Sequence, residues 1–103
     1  MRRNKDSFKE AQLQIASVHN YYERMVLDEA FRHSGEHHSD RDFIADVACV
    51  ALNRLPPRYV RHDVDMAFYL SPAEQAEMEN RVKESVVYAL QIVSLSRRKH
   101  EEE

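Results

Sequence analysis

The stretch VALNRLPPRYVRHD, residues 50–63, combines paired prolines with basic and aromatic side chains. Arg54 and Arg58 are separated by three residues, two of them prolines, so a stiff backbone sets their relative placement. Such a preorganised pair loses little conformational entropy when a ligand binds. Guanidinium groups donate paired hydrogen bonds to phosphate oxygens or to the O6/N7 edge of guanine, and they stack on base faces. The pattern therefore indicates a site for a small anionic ligand.

Neighbouring residues extend this candidate site. Tyr59 or Tyr69 can stack a base, and Asp63 and Asp65 can accept hydrogen bonds from the N1 and N2 donors of guanine, which arginines cannot do. Asn53 can bind a base edge or lock the turn. The Arg-x-x-x-Arg spacing is also the arrangement by which several unrelated receptors hold cyclic di-GMP. The candidate ligand-binding residues are Asn53, Arg54, Arg58, Tyr59, Arg61, Asp63, Asp65 and Tyr69.

The competing interpretation of the same residues is architectural. Arginines at a helix end pair with the C-terminal dipole and with nearby acids, and Asp63 and Asp65 would then lie on a solvated strand face. The prolines would serve only to end a helix and turn the chain. Both interpretations are open at the level of the sequence.

Catalytic and metal-binding signatures are missing from the sequence. It has no glycine-rich phosphate loop, no Cys-x-x-Cys pair and no His-Glu-x-x-His motif. His33, His37 and His38 lie near acidic residues, but adjacent histidines rarely reach one ion, so we interpret them as exposed loop residues; a metal-dependent enzyme that uses the loop from His33 to Asp42 is the least favoured alternative. Cys49 lies in an apolar run and is predicted to be a buried thiol. We expect no enzyme activity, no metal and no cofactor.

Composition bounds the class of protein. With 103 residues, 43% hydrophobic and 32% charged, the chain suits one domain over residues 1–103. The single cysteine indicates a reducing compartment. The sequence contains no run of about 20 apolar residues, which a membrane-spanning helix needs. We therefore expect a cytoplasmic protein without membrane contact. The pI near 6.1 argues against direct nucleic-acid binding, which usually requires a strong basic excess.

The single glycine predicts a mainly α-helical fold, because hairpin turns draw heavily on glycine. Apolar periodicity predicts three principal helices: one over residues 15–33, one that ends at Leu55, and one that begins after Ser71. Between the last two, residues 59–70 alternate from Val64 onward and predict one short strand or a small hairpin. We expect this strand to pair across a homodimer, because a lone strand is unstable. Residues 1–12 and 97–103 are expected to be flexible tails.

Local signals predict where these helices begin and end. Gly35 is expected to take the left-handed conformation that closes the first helix, and Ser39 or Asp40 to cap the second. Pro56 disfavours helical geometry at the residue before it and ends the second helix. The third helix begins at SPAE, residues 71–74, which has the pattern of a capping box.

The apolar faces of the three helices are predicted to form one core. The second helix is apolar almost all round over residues 47–52, so we expect it to be central. The predicted core residues are Ile15, Val18, Tyr22, Val26, Ala30, Phe43, Ile44, Val47, Val50, Ala51, Leu55, Met78, Val82, Val86, Ala89, Leu90 and Val93.

The string DVACVALNRLPPRYV, residues 46–60, closely resembles the signature of the late competence protein ComFB family, in which an ALNxLPPxYV block follows a helix. Residues 20–23, NYYE, are similar to the start of that family's first helix, and the resemblance covers residues 18–95. It implies a small, mostly helical homodimer whose strand region contributes to dimer packing. Some members bind cyclic dinucleotides, in particular cyclic di-GMP, and are linked to type IV pili, competence, motility or cell-size control.

Departures from the family pattern limit what the resemblance implies. Several relatives bind zinc through cysteines in the loop before the central helix, but residues 34–42 contain none, so no zinc site is implied. Arg58 occupies a position that varies among relatives. Residues and resemblance together predict a dimeric, non-enzymatic receptor for cyclic di-GMP that acts on an unidentified protein partner. The alternative is a nucleotide-independent dimeric interaction module, in which LPPRYV is only a helix stop and dimer scaffold.

Overall fold

The computed structural model describes the backbone of residues 2–102 and the side chains of residues 7–100. Most of these residues are helical, so the predicted mainly α fold is confirmed. The described helices are α1 (Arg2–Ile15), α2 (Tyr22–Arg32), α3 (Arg41–Arg54), α4 (Val64–Tyr69) and α5 (Pro72–Glu102), with a 3-10 turn at Gly35–His37. Two short strands, β1 (His19–Asn20) and β2 (Tyr59–Val60), pair antiparallel.

The core lies where α2, α3 and α5 pack against one another. Val26 of α2, Val47 of α3 and Val86 of α5 are almost completely buried at these contacts. Each helix contributes a stripe at spacings of three and four residues, as the periodicity predicts. Each of the three helices contacts the other two, so these contacts do not single out α3 as the central helix.

Asp40 caps α3 and also ties it to α5. Its Oδ1 accepts a hydrogen bond from the amide of Phe43 at 3.0 Å, and its Oδ2 accepts one from Arg97 at 2.7 Å. Of the two predicted caps, Asp40 is therefore the one used. The pKa of Asp40 is lowered, mainly because the Phe43 amide donates to the carboxylate and then because Arg97 pairs with it.

Two of the other predicted boundaries are found and one is not. α3 stops where Leu55 becomes extended, with φ −97° and ψ 135°, because Pro56 follows it. Gly35 has φ 57°, the predicted left-handed conformation, but it begins the 3-10 turn and does not close α2, which ends at Arg32 with His33 as its C-cap. At the start of α5, the Glu74 amide donates to Ser71 Oγ at 3.1 Å, and the Ser71 amide donates to Glu74 Oε1 at 3.4 Å. The capping box is thus complete.

The first predicted helix, over residues 15–33, is wrong in its N-terminal part. α1 ends at Ile15 and α2 begins only at Tyr22, with β1 between them. Ile15 and Val18, predicted to be core residues, are 66% and 44% exposed. The physical reason is a long-range one: β1 pairs with β2, with His19 opposite Val60, and this pairing outweighs helical propensity at residues 16–21.

The predicted strand is also shorter than expected. β2 covers only Tyr59–Val60, and it pairs with β1 of its own chain. The alternating part from Val64 onward forms α4 instead, which starts with the Met66 amide donating to the Asp63 carbonyl at 3.1 Å. Met66 is buried while Val64 and Phe68 are exposed, so the alternation does not reflect a sheet with one buried face. Pairing of this region across a homodimer stays a prediction.

The two chain ends are helical in the described residues. α1 begins at Arg2, and α5 continues to Glu102, past the start of the predicted tail at Arg97. The single domain over residues 1–103 and the flexibility of both tails stay predictions. Within residues 2–102, no helix is both long enough and apolar enough to span a membrane.

Replacing Ser71 with alanine is predicted to destabilise the fold by about 1 kcal/mol, because the Glu74 amide loses its acceptor at the helix start. Urea denaturation should show a lower midpoint with an unchanged slope. Ser96→Ala is the matched control, because Ser96 is an exposed residue inside the same helix. Equal midpoints for wild type and Ser71→Ala would show that the cap contributes nothing.

Candidate functional site

The proline elbow, residues 55–58, connects α3 to β2 and is anchored at both ends. Leu55 is buried in the core at the start of the elbow. At the other end, the Arg58 amide donates to Asn20 Oδ1 at 3.1 Å, and the Arg58 carbonyl accepts from the Tyr21 amide at 2.7 Å. Pro56 and Pro57 restrict the backbone between these anchors. The elbow therefore presents Arg58 from a fixed backbone position.

The side chain of Arg58 borders a cleft of about 200 Å³, here called the Arg58 cleft. Its apolar lining comes from Tyr22, Leu70 and Met78, together with the two prolines of the elbow. Its charged lining consists of Arg58, Glu74, Glu77 and Arg81. Within the side chains of residues 7–100, the Arg58 guanidinium forms no ion pair, so its charge is available to a ligand.

Arg54 does not line the same cleft as Arg58. Its guanidinium carbon lies 3.7 Å from the centroid of the Tyr88 ring, which is a cation–π contact between the end of α3 and α5. Arg54 remains exposed in this position. The predicted pair of arginines is thus divided between the Arg58 cleft and the Tyr88 ring, and joint binding of one ligand stays a prediction.

Asn53 makes its contacts inside α3. Its Nδ2 donates to the Cys49 carbonyl at 3.0 Å and lies 3.7 Å from Cys49 Sγ. This hydrogen bond lies within α3 and does not reach the elbow, so a role of Asn53 in locking the turn or in binding a base edge stays a prediction. Cys49 itself is exposed, so the prediction of a buried thiol is wrong. The error arises because Cys49 lies on the side of α3 opposite the residues that pack into the core, although its sequence neighbours are apolar.

Asp63 is paired with His19 rather than placed in the Arg58 cleft. His19 Nε2 lies 2.5 Å from Asp63 Oδ1, and its Nδ1 lies 3.0 Å from the Ser17 carbonyl oxygen. The pKa of His19 is raised, mainly by the hydrogen bond to the Ser17 carbonyl and then by the hydrogen bond to Asp63. Asp65 lies exposed in the first turn of α4 and does not border the cleft.

Exposed aromatic and aliphatic side chains follow the elbow. Tyr59 of β2 is 67% exposed, and Phe68 and Tyr69 of α4 are 82% and 75% exposed. Val64 at the start of α4 is exposed as well, and so is Arg61 between the two elements. Neither Tyr59 nor Tyr69 borders the Arg58 cleft. These side chains are open to a base or to a protein surface.

The three loop histidines have separate contacts. His33 Nε2 lies 3.1 Å from Glu29 Oε2, and the His37 ring stacks on Phe43 with centroids 4.3 Å apart. His38 Nδ1 lies 3.2 Å from the Gly35 carbonyl oxygen. Among the residues that the structure describes, no group of three or more His, Cys, Asp or Glu side chains is arranged to hold a metal ion.

Sequence reasoning missed the α5 side of the site. Arg81 and Glu77 border the Arg58 cleft and bind each other, with Arg81 Nη2 2.6 Å from Glu77 Oε1. In the sequence these residues form an ordinary i,i+4 pair on an exposed helix face, and such pairs are common. No local signal connects them to the elbow, because only the packing of α5 beside the prolines brings them together.

Comparison with known families supplies the decisive observation. Residues 19–97 match the model of the family described as late competence development protein ComFB. The chain belongs to the ComFB family. Comparisons with curated proteins and with solved structures give no significant match. ComFB membership indicates a competence-related regulatory role, and the matched residues include β1, the elbow and most of α5.

The His19–Asp63 pair predicts a pH-dependent contribution to stability. Because the pKa of folded His19 is raised above its unfolded value, the contribution is complete below the unfolded pKa and is lost as pH rises through the folded pKa. The difference in unfolding free energy between wild type and His19→Gln should therefore be largest near about pH 5.5 and shrink toward about pH 8.5.

Urea denaturation over this pH range measures that difference. His62→Gln is the matched control, because His62 is an exposed histidine one residue before Asp63 and makes no ion pair among the described side chains. The same pH profile for both variants would contradict a specific role of the His19–Asp63 pair.

Proposed function

We propose that this ComFB protein is a non-enzymatic, homodimeric receptor for cyclic di-GMP. It acts in the cytoplasm, without membrane or nucleic-acid contact, by changing the behaviour of a protein partner in competence, motility or type IV pilus control. Family membership supports the regulatory part of this proposal. The observation that carries the ligand part is the position of Arg58 at the rim of its cleft.

Arg58 combines a fixed backbone with a guanidinium that forms no ion pair among the described side chains. The hydrogen bonds to Asn20 and Tyr21 and the two prolines restrict its backbone before any ligand arrives. Binding to Arg58 therefore requires little further backbone ordering. A phosphate or a guanine edge therefore gains charge-assisted hydrogen bonds without displacing a described carboxylate from the guanidinium.

Arg54 can contribute from its place on the Tyr88 ring. A guanidinium that stacks on an aromatic ring still directs its N–H groups outward along its own plane. The side chain of Arg54 is exposed, so these donors are open to a second phosphate or base edge. Cyclic di-GMP offers two phosphates and two guanines, which suits arginines that lie at separate places on one surface.

The size of the Arg58 cleft favours a site that two subunits share. Its volume of about 200 Å³ is smaller than the range of about 300 to 1,000 Å³ typical of pockets that enclose drug-sized ligands. A second subunit covering the exposed side chains of Tyr59, Val64, Phe68 and Tyr69 would bury apolar surface and add walls to the site. A ligand that bridges the subunits tightens the dimer, because it binds one state better than the other.

Isothermal titration calorimetry with cyclic di-GMP tests the ligand. Arg58→Ala is predicted to weaken binding by about 10- to 100-fold, because charged hydrogen bonds contribute about 1.5 to 3 kcal/mol. The double variant Arg54→Ala/Arg58→Ala should lose measurable binding. Arg98→Ala is the control, since Arg98 is an exposed arginine that does not border the Arg58 cleft. Absent heat with the wild-type protein would end the receptor proposal.

A second candidate function is a nucleotide-independent dimeric interaction module. The exposed side chains of β2 and α4 favour it, because monomeric proteins rarely expose several large apolar side chains on one short segment. On this alternative, Arg58→Ala leaves folding and all nucleotide assays unchanged, while substitutions on the β2–α4 segment abolish function.

Sedimentation velocity tests the role of that segment. Phe68→Asp is predicted to shift a dimer to monomer, because a buried carboxylate without a partner is costly at an interface. Phe31→Asp is the matched control, because Phe31 is 56% exposed on α2. Identical sedimentation of Phe68→Asp and wild type as dimers would exclude α4 from the interface, and a monomeric wild type would exclude the dimer.

A further inference from the structure

The Arg58 cleft has an apolar interior and a charged rim of both signs. Tyr22, Leu70 and Met78 provide apolar side chains, and the prolines of the elbow form a rigid wall. The rim carries two guanidiniums, of Arg58 and Arg81, and two carboxylates, of Glu74 and Glu77. A site that binds only phosphate would gain nothing from these carboxylates, since like charges repel. The lining suits a planar, uncharged group with both donor and acceptor edges.

The two carboxylates differ in what they already bind. Glu74 Oε1 accepts from the Ser71 amide and completes the capping box of α5. Glu77 Oε1 accepts from Arg81 at 2.6 Å, and Glu77 Oε2 accepts no hydrogen bond among the described residues. A carboxylate oxygen can accept more than one hydrogen bond, so Glu77 retains capacity at both oxygens. Glu74 keeps acceptor capacity as well, but Glu77 is the one of the two carboxylates that an arginine of the cleft, Arg81, holds in place.

We infer that the Arg58 cleft is a guanine subsite in which Glu77 accepts from the N1 and N2 donors of the base and Arg58 donates to its O6/N7 edge. This inference rests on the proposed cyclic di-GMP function and assigns the base-reading residues of that site. Arg81 acts as a positioning residue, which holds the Glu77 carboxylate in place through their hydrogen bond. The apolar interior receives the plane of the base, and the phosphates remain outside the cleft near the free edge of Arg58.

The carboxylate makes this subsite selective for guanine over adenine. Guanine presents donors at N1 and N2, whereas adenine presents an acceptor at N1 and has no N2 amino group. Adenine would place a lone pair against the Glu77 carboxylate and offer it no donor in addition to Arg81. Cyclic di-AMP has the same phosphates as cyclic di-GMP, so discrimination between them reports on the base alone.

Calorimetry on the full chain with cyclic di-GMP and cyclic di-AMP tests the subsite. Glu77→Gln is expected to weaken cyclic di-GMP binding by about 10- to 100-fold and to reduce the preference for cyclic di-GMP over cyclic di-AMP, because the amide keeps one acceptor and loses the bidentate contact with the base. Arg81→Ala is expected to narrow the same preference to a smaller extent. Glu79→Gln and Lys83→Ala are the controls, since both residues border a different cleft, between α2 and α5.

The outcomes separate this inference from the proposal on which it rests. If wild type binds cyclic di-GMP and Arg58→Ala does not, but Glu77→Gln and Arg81→Ala keep the wild-type affinity and selectivity, the guanine subsite is wrong and the receptor proposal stands. If Glu77→Gln weakens both dinucleotides equally, the subsite is also wrong. If wild type binds neither dinucleotide, the receptor proposal fails and the subsite with it. Thermal melting of each variant verifies that the fold is intact.

Discussion

The side-chain oxygen of Asn20 holds together two segments that lie 38 residues apart in the chain. It accepts from the amide of Tyr22, where α2 begins, and from the amide of Arg58, where the elbow ends. Together with the β1–β2 pairing, these hydrogen bonds fix the elbow against α2. The two prolines of the elbow have no backbone N–H and cannot donate hydrogen bonds of their own. The break between α1 and α2, the position of Arg58 and the wall of its cleft all depend on this junction.

The arginines of the described surface differ in how much a ligand must displace. Arg54 lies on Tyr88, Arg81 is bound to Glu77, and Arg97 is bound to Asp40. Solvent screens exposed charges, so these contacts orient the side chains more than they stabilise the fold. Arg58 lacks such a partner among residues 7–100, so an incoming anion or base edge displaces no ion pair there. The four arginine side chains have the same chemistry, so this difference in their contacts follows from their positions in the fold.

The parts of the fold that follow from the sequence are those set by interactions within about four residues. The SPAE capping box, the stop before Pro56 and the Asp40 cap were predictable, because donor and acceptor lie within the same turn. β1 was not predictable, since its partner is distant and its two residues carry no strand pattern. The alternation from Val64 predicts a strand, but the segment forms the short helix α4. Met66 is buried there while Val64 and Phe68 are exposed, so the local alternation of apolar residues does not reflect their burial.

The candidate site likewise contains residues that a local pattern identifies and residues that only the packing of distant elements brings together. Arg58 was identifiable because the adjacent prolines mark a rigid bend, whereas Glu77 and Arg81 required the packing of α5 beside the elbow. Spacing along the sequence paired Arg58 with Arg54, but the helix end turns Arg54 toward Tyr88. Asp63 was chosen for its proximity to the arginines, and its contact with His19 depends on β1, which the sequence did not predict.

Asp40 makes two connections with one carboxylate, since one oxygen accepts from Phe43 at the start of α3 and the other accepts from Arg97 far along α5. Its lowered pKa means that this contribution is present above the unfolded value and is lost as pH falls through the folded value. Protonation removes the helix cap and the interhelical ion pair in a single step. Acid therefore weakens the end of α3 remote from the elbow, whereas a rise in pH weakens the His19–Asp63 pair near the elbow.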